Sequence, residues 1–294
     1  MSKQPIILCS VASNDFLHYI ERLLASAGTN LPEALFYIVL VNVDKIKAEY
    51  LNSLYGNLIL EHDYVHFNNH ADQQGYCTNR RSTLLPHLLK KYNSPVVWID
   101  ADSLIIKPAQ ELIEYANSCD FSVMYSDSHP LLNMSEKKRM KLPKGPLGSP
   151  YYGVFSAGLI TMKNSQIMKE FVDSWAKKVE KKKLSWYADQ EGLFLTYLDY
   201  KDKIKFRSLP EKYWGRYYSE DIIIWVPKGY YRDKIDFYSI GENYIIDKRN
   251  WPVIEIEEEI YITAEVDSII KIKKLMGKIV RKIIRIFGLR KFIE

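Results

Sequence analysis

Apolar runs of strand length alternate with helical patterns through the first two thirds of the chain. Ile6–Val11, Phe36–Val43, Leu58–Leu60, Val96–Ile99 and Phe121–Tyr125 are the strand-like runs. Leu58–Leu60 and Val96–Ile99 are apolar without interruption, as expected for strands covered on both faces. Between them lie segments with apolar residues three and four apart: Phe16–Ala27, Lys45–Tyr55, Thr78–Tyr92 and Pro108–Ala116. Asn14 is the expected cap of the first of these, Pro86 a candidate kink in the third, and Pro108 sits at the first turn of the fourth. Beyond residue 150 the pattern predicts strands at Val154–Met162, Ile204–Leu209 and Ile222–Val226, with helices at Gln166–Lys183 and Ala188–Leu198.

Strands alternating with helices predict an α/β fold with parallel strands joined by right-handed crossovers. Sheets of this kind bind ligands beyond the carboxyl ends of their strands. That rule draws attention to Ser10–Asn14 and to Asp100–Asp102, which follow two of the apolar runs. Residues 127–150 break the alternation. They are rich in Pro and Gly and carry the charged run Glu136–Arg139, so we expect a mobile surface loop that acts as a lid. No internal repeat or low-complexity tract is present.

Charge alters this picture at one end only. The formal net charge is +5 over 294 residues, but residues 269–294 hold nine Lys/Arg against one Glu, which leaves the remainder at −3. A nucleic-acid binder spreads basic charge over its folded face; here it is confined to one segment, so no nucleic-acid partner is expected. Within that segment Ile272, Leu275, Met276, Ile279, Ile283 and Ile286 recur at helical spacing, with Lys271, Lys274, Lys278, Lys282 and Arg285 between them. An apolar face opposite basic residues predicts an amphipathic helix lying on an anionic membrane surface. The alternatives are a helix packed on the preceding domain, one that binds a partner protein, or a nucleic-acid tail. We place the domain boundary at 1–265 and 266–294.

The three cysteines, Cys9, Cys77 and Cys119, are far apart and give no disulfide framework, which fits a reducing compartment. The apolar start, Ile6 to Ala12, is too short for a signal peptide, and no apolar run reaches transmembrane length. The expected location is cytoplasmic, peripheral on the inner face of the membrane. The 22 tyrosines suit walls of a carbohydrate or nucleotide pocket, and a biased coding composition accounts for them equally well.

The chemistry begins at Asp100-Ala101-Asp102. On an extended chain, residues two apart share a face, so both carboxylates can offer hard oxygen ligands to Mg²⁺ or Mn²⁺. A divalent ion there can neutralise a departing diphosphate. With 17 Asp in the chain, roughly one such pair arises by chance. Its position carries the weight, because the pair directly follows the apolar run Val96-Val97-Trp98-Ile99. His62, His66 and His70 have the spacing of a helical metal site, but Asp63, Asn68 and Asn69 make that stretch a poor helix. No Ser/His/Asp triad is discernible.

Val96–Pro108, VVWIDADSLIIKP, resembles the Asp-x-Asp strand of glycosyltransferases with the nucleotide-diphospho-sugar (GT-A) fold, and the resemblance covers roughly residues 5–228. Phe155–Ile160 is similar to the family's Asn-Ala-Gly strand, with Ser156 where Asn is usual. Asp189-Gln190-Glu191 is similar to the Asp-Gln-Asp element of retaining galactosyl- and glucosyltransferases. The resemblance implies a Rossmann-like mixed sheet flanked by helices. It implies that Asp102 coordinates the metal and that Asp100 bridges metal and ribose. Ala12 and Asn14 would lie at the base, Arg80 or Arg81 would face the diphosphate, and Ser156, Ala157 and Gly158 would contact the sugar. Asp189 or Gln190 would lie under the sugar ring, which tilts toward retention. Lys228 matches a phosphate contact. Many relatives use a late His as third metal ligand, and this chain has none after His129.

The expected function is therefore divalent-metal-dependent sugar transfer from a nucleotide-sugar, UDP favoured, to a glycan or lipid-linked acceptor in surface polysaccharide or lipooligosaccharide synthesis. Two alternatives stand beside it. A nucleotidyltransferase making sugar nucleotides would show a Gly-rich phosphate loop, and residues 8–16 contain no Gly. A non-catalytic sugar-binding or membrane-adaptor protein would show neither turnover nor metal dependence.

Overall fold

The structure is a computed structural model, and it describes residues 6–54, 57–125, 129–215, 218–227, 235–246 and 261–262. Lys228 and the whole basic segment 266–294 lie outside the described residues, as do 126–128 at the start of the expected lid.

Ten strands and nine α-helices are described: β1 Ile6–Ser13, α1 Leu17–Asn30, β2 Ala34–Val41, α2 Lys45–Leu54, β3 Leu58–Asp63, α3 His70–Asn79, α4 Arg81–Lys91, β4 Val96–Ile99, β5 Leu104–Ile105, α5 Gln110–Ser118, β6 Phe121–Tyr125, α6 Glu136–Arg139, β7 Phe155–Met162, α7 Gln166–Val179, α8 Ala188–Tyr200, β8 Phe206–Ser208, β9 Ile224–Trp225, α9 Ile235–Ile246 and β10 Tyr261–Ile262. Eight strands form one sheet in the order β10-β3-β2-β1-β4-β7-β6-β8, and β5 pairs with β9 in a small second sheet. β1, β2 and β4 are buried along their whole length. Their apolar character follows from being central strands with a helical layer on each side. One layer, with α1, α2 and α5, packs around Ile20, Leu24, Leu51 and Leu112. The other, with α4, α7 and α8, packs around Leu85, Phe171, Trp175 and Phe194. Large side chains such as Trp175, with no exposed surface, each stabilise the fold by about 1.5–3 kcal/mol.

One strand departs from the expected parallel arrangement. β7 runs antiparallel to both β4 and β6, whereas β1, β2, β3, β4 and β10 are parallel along their shared edges. The result is a mixed sheet. Because β7 is reversed, its first residues meet the carboxyl end of β4, and Asp100 N–H donates to Gly158 O at 2.8 Å. The β6–β7 register slips there: Val123 pairs with Ile160, but Met124 pairs with Ser156. Residues 157–159 form the bulge, a device common beside active sites.

Several local expectations are corrected. Asn14 does not cap α1; it sits in a 3-10 turn, and its side chain accepts from Lys47 Nζ at 2.6 Å. The helix expected from Thr78 starts at His70, capped by Asn69, whose side chain accepts Asp72 N–H at 2.9 Å. It is interrupted at Arg80, not kinked into two pieces at Pro86, which lies within α4. Pro108 precedes α5 instead of occupying its first turn. Asp102 lies in a turn after β4, so strand alternation does not govern how the two acids face. His62 is on β3, His66 in a loop and His70 at the start of α3, so they form no helical stack.

Candidate functional site

Arg81 organises the carboxyl edge of the sheet. It opens α4, is 4% exposed, and lies under Trp98 with its guanidinium 5.0 Å from the ring centroid. Its Nη1 donates to the Ala157 carbonyl and stands 3.5 Å from Asp100 Oδ1. Its Nε donates to Thr78 O at 2.8 Å and lies 2.9 Å from Asp189 Oδ2. One side chain thus joins α4, the end of β4, the β7 bulge and the start of α8. Trp98 Nε1 also donates to Asp100 Oδ1 at 3.1 Å, fixing that carboxylate from the strand side.

Asp189 has no exposed surface, and its only ion-pair partner among the described residues is Arg81. Burial raises its pKa; the Arg81 charge and the Gln190 amide oppose that rise. A fully buried carboxylate is costly to keep, so its position is imposed by its surroundings. Asp189 N–H donates to Asn79 Oδ1 at 2.7 Å, and Trp175 Nε1 donates to Asp189 O at 2.8 Å. Asp189 is not the cap of α8, an alternative its place in the sequence allowed. The cap position is Tyr187, in the left-handed region at φ 67°, and Asn79 satisfies a helix-start amide from outside. Strained backbone of this kind gathers at functional sites. Gln190 follows, half-buried.

Glu191 is buried and faces the other way. Its carboxylate accepts Leu147 N–H at 2.7 Å and Ser149 N–H at 2.5 Å. The end of the expected lid is therefore clamped to α8 and does not hang free. Gly158 is required by packing: a Cβ there would sit 1.6 Å from a ring carbon of Trp214.

Of the two candidate arginines, the structure brings only Arg81 to Asp100. Arg80 turns to Asp63 Oδ2 at 2.7 Å and Glu61 Oε1 at 2.5 Å. Ala12 is buried near the end of β1, the strand paired with β4 through Cys9 and Trp98, and Asn14 follows it. Ser156 and Ala157 lie at the bulge. Asn79, Trp98, Glu191 and Trp214 complete the site without having been singled out as site residues. Asn79 gave no signal, since it falls in the first turn of the helix expected from Thr78. Trp98 and Glu191 adjoin recognised acids, and only the third dimension shows what they hold.

Asp102 is 5% exposed. Among the described residues no three acidic, His or Cys side chains form a ready-made metal cage. Two carboxylates at a strand mouth nonetheless fit Mg²⁺ or Mn²⁺, which take one or two carboxylates and complete their shell from substrate phosphates and water. A separate cleft of about 380 Å³, bordered by Arg80, Thr83, Lys177 and Lys183, does not include the acid pair.

No family model matches the sequence, and no curated protein matches it. Solved structures do resemble the fold. The glycosyltransferase GlyE of Streptococcus pneumoniae TIGR4 superposes with a TM-score of 0.53 at 12% identity, covering 87% of this chain and 66% of that longer one. The galactosyltransferase LgtC, solved with donor and acceptor sugar analogs, gives 0.55 at 14% identity, covering 84% and 97%. An active-site Gln-to-Glu mutant of LgtC gives 0.53 at 12% identity, covering 86% and 98%. The fold is GT-A. On this GT-A frame the reversed β7, the acids after β4 and the start of α8 meet at one edge of the sheet. Among the described residues no helix is long and apolar enough to cross a membrane.

Proposed function

We propose that this protein is a glycosyltransferase that moves a sugar from a nucleotide-diphosphate donor, UDP favoured, to a glycan or lipid-linked acceptor. The observation that carries this reading is the Arg81 node, which brings Asp100, Asp189 and the Ala157 carbonyl together at the mouth of a GT-A sheet. The structural neighbours are glycosyltransferases, which supports sugar transfer as the reaction class.

In this reading Asp100 and Asp102 hold a divalent ion. When bound, the ion stabilises charge developing on the departing diphosphate. Arg81 is a positioning residue, because its donors are directed at protein acceptors; it fixes Asp100 for metal and ribose and locks Asp189 beneath the sugar. Gln190, on the next step of α8, presents its amide to the sugar ring, where an oxocarbenium-like charge develops. Retention is the stereochemistry this arrangement favours. Ser156, Ala157 and Gly158 would contact the sugar, with the space beside Gly158 filled by Trp214. Ala12 and Asn14 lie where the base would bind. The basic segment 266–294 is proposed to hold the enzyme on an anionic membrane, which suits a lipid-linked acceptor.

The test is a thermal-shift panel of UDP-, GDP- and CMP-sugars with and without Mn²⁺. Stabilisation by one nucleotide class that depends on Mn²⁺ is expected. No shift with any donor at millimolar concentration, with the metal present, rejects the proposal. Vesicle co-sedimentation of the full chain against a chain ending at Ser268 tests the tail, and equal binding by both rejects its anchoring role.

A further inference from the structure

The stretch between α7 and α8 has a feature that sugar transfer does not use. It reads Lys181-Lys182-Lys183-Leu184-Ser185-Trp186-Tyr187, and the three lysines are exposed. Leu184, Trp186 and Tyr187 are 40%, 49% and 41% exposed. Three large apolar side chains held in water side by side are unfavourable unless something covers them.

The backbone explains why they point outward. Asn79 Nδ2, buried, donates to Lys183 O and Ser185 O at 2.9 Å each. Gly75 leaves space for the Leu184 carbonyl, since a Cβ there would lie 2.0 Å from it. Pinning the main chain to α3 directs the side chains away from the core. Tyr187 is fixed in the left-handed region and its ring meets Tyr152 at 5.8 Å. The display is therefore built into a rigid segment that leads directly into Asp189.

We infer that this strip is a membrane contact of the folded domain, which sets Trp186 and Leu184 into the interface of an anionic bilayer while the lysines meet its headgroups. The lysine run selects this occupant by charge complementarity. Leu beside Trp and Tyr is the composition of an interfacial anchor. A neutral glycan would have no use for three lysines. The contact rests on folded residues and does not depend on the tail. The strip ends two residues before Asp189, so a contact there would hold a lipid-borne acceptor close to the Arg81 node.

The test uses the full chain and vesicles containing phosphatidylglycerol and a phosphatidylcholine brominated in its acyl chains, which quenches nearby tryptophan. Residues 266–294 contain no Trp, so tail binding alone gives no signal from that segment. Quenching is expected for the wild type, and Trp186→Phe should remove it while still sedimenting with vesicles. Lys181→Glu, Lys182→Glu and Lys183→Glu together should lower vesicle affinity at low salt by about tenfold or more. Sedimentation with equal quenching in wild type and Trp186→Phe overturns the proposal and leaves the tail reading intact. A response of Trp186 emission to soluble glycan fragments, with none to vesicles, also overturns it and makes the strip an acceptor platform. Neither result bears on donor binding, which the nucleotide-sugar panel reads separately.

Discussion

Two consecutive arginines build two buried charge clusters of different kinds. Arg80 meets Glu61 and Asp63 in close, fork-like geometry, and both carboxylates have further donors: Tyr37 Oη at 2.6 Å on Glu61 and Tyr76 Oη at 2.9 Å on Asp63. The attraction of Glu61 and Asp63 for the guanidinium holds the Arg80 pKa up despite burial, while burial and Glu61 raise that of the Tyr37 phenol. Every partner is engaged, as a buried network must be to repay its desolvation. Arg81, one residue on, lies 2.9 Å from the fully buried Asp189 and meets Asp100 at the longer distance of 3.5 Å. The first cluster is complete as protein. The second leaves Asp100 partly exposed at the longer distance from its guanidinium, which suits a site that receives a cationic or reacting partner.

That contrast can be broken at four points. Arg81→Ala should cost most. It removes the charge facing a fully buried Asp189, so stability should fall by about 3–5 kcal/mol, and transfer should be lost in whatever folds; denaturant melts and a turnover assay read the two effects. Asp102→Ala should act on function alone: turnover falls roughly 10²–10³-fold, with little change in the melting midpoint. Near wild-type turnover at saturating Mn²⁺ would remove Asp102 from the metal site. Arg80→Lys gives the mirror image. Losing the fork leaves one carboxylate poorly matched, so stability drops by about 1–3 kcal/mol, while turnover per folded molecule is unchanged. An equal loss of turnover would merge the two clusters into one.

The smallest effect concerns pH. Burial lowers the His62 pKa from the ordinary 6.5, against an opposing pull from Asp63. The unfolded chain therefore binds the proton more readily than the folded one. Stability from this group is full above 6.5 and is lost as pH falls from there through the folded value. Melts at pH 7.5 and 5.5 should show a smaller acid-side loss for His62→Gln than for wild type, and an identical loss would discount the group.

Much of the architecture was legible because central strands are apolar on both faces; β4 and β6 have the limits their runs predict. Strand direction was not legible, since a buried run looks the same either way, and the reversal of β7 is what brings Gly158 to Asp100. α3 was hidden because Asn69 read as a helix breaker when it is a cap. α9 and β10 fell where no pattern had been assigned. In the site, the acid pair, the bulged strand and Asp189 could all be picked out. Arg80 and Arg81 could not be told apart, because neighbours on a helix point about 100° apart and tertiary packing decides which one reaches the acids. The partnership of Asn79 with Asp189 joins residues 110 apart in the chain and has no local trace.

The Glu191 clamp has a bearing on how this protein could change over time. One carboxylate fastens Leu147 and Ser149, and a single methyl added at Gly145 would sit 2.3 Å from its oxygen. The preceding stretch, with exposed Lys137, Lys138, Met140, Lys141 and Lys144, carries no comparable restriction. The segment therefore behaves as an exchangeable cassette with one fixed end. Its lysine-rich half can be rewritten at little structural cost, while the Gly145–Ser149 joint keeps each version seated on the same helix as Asp189 and Gln190.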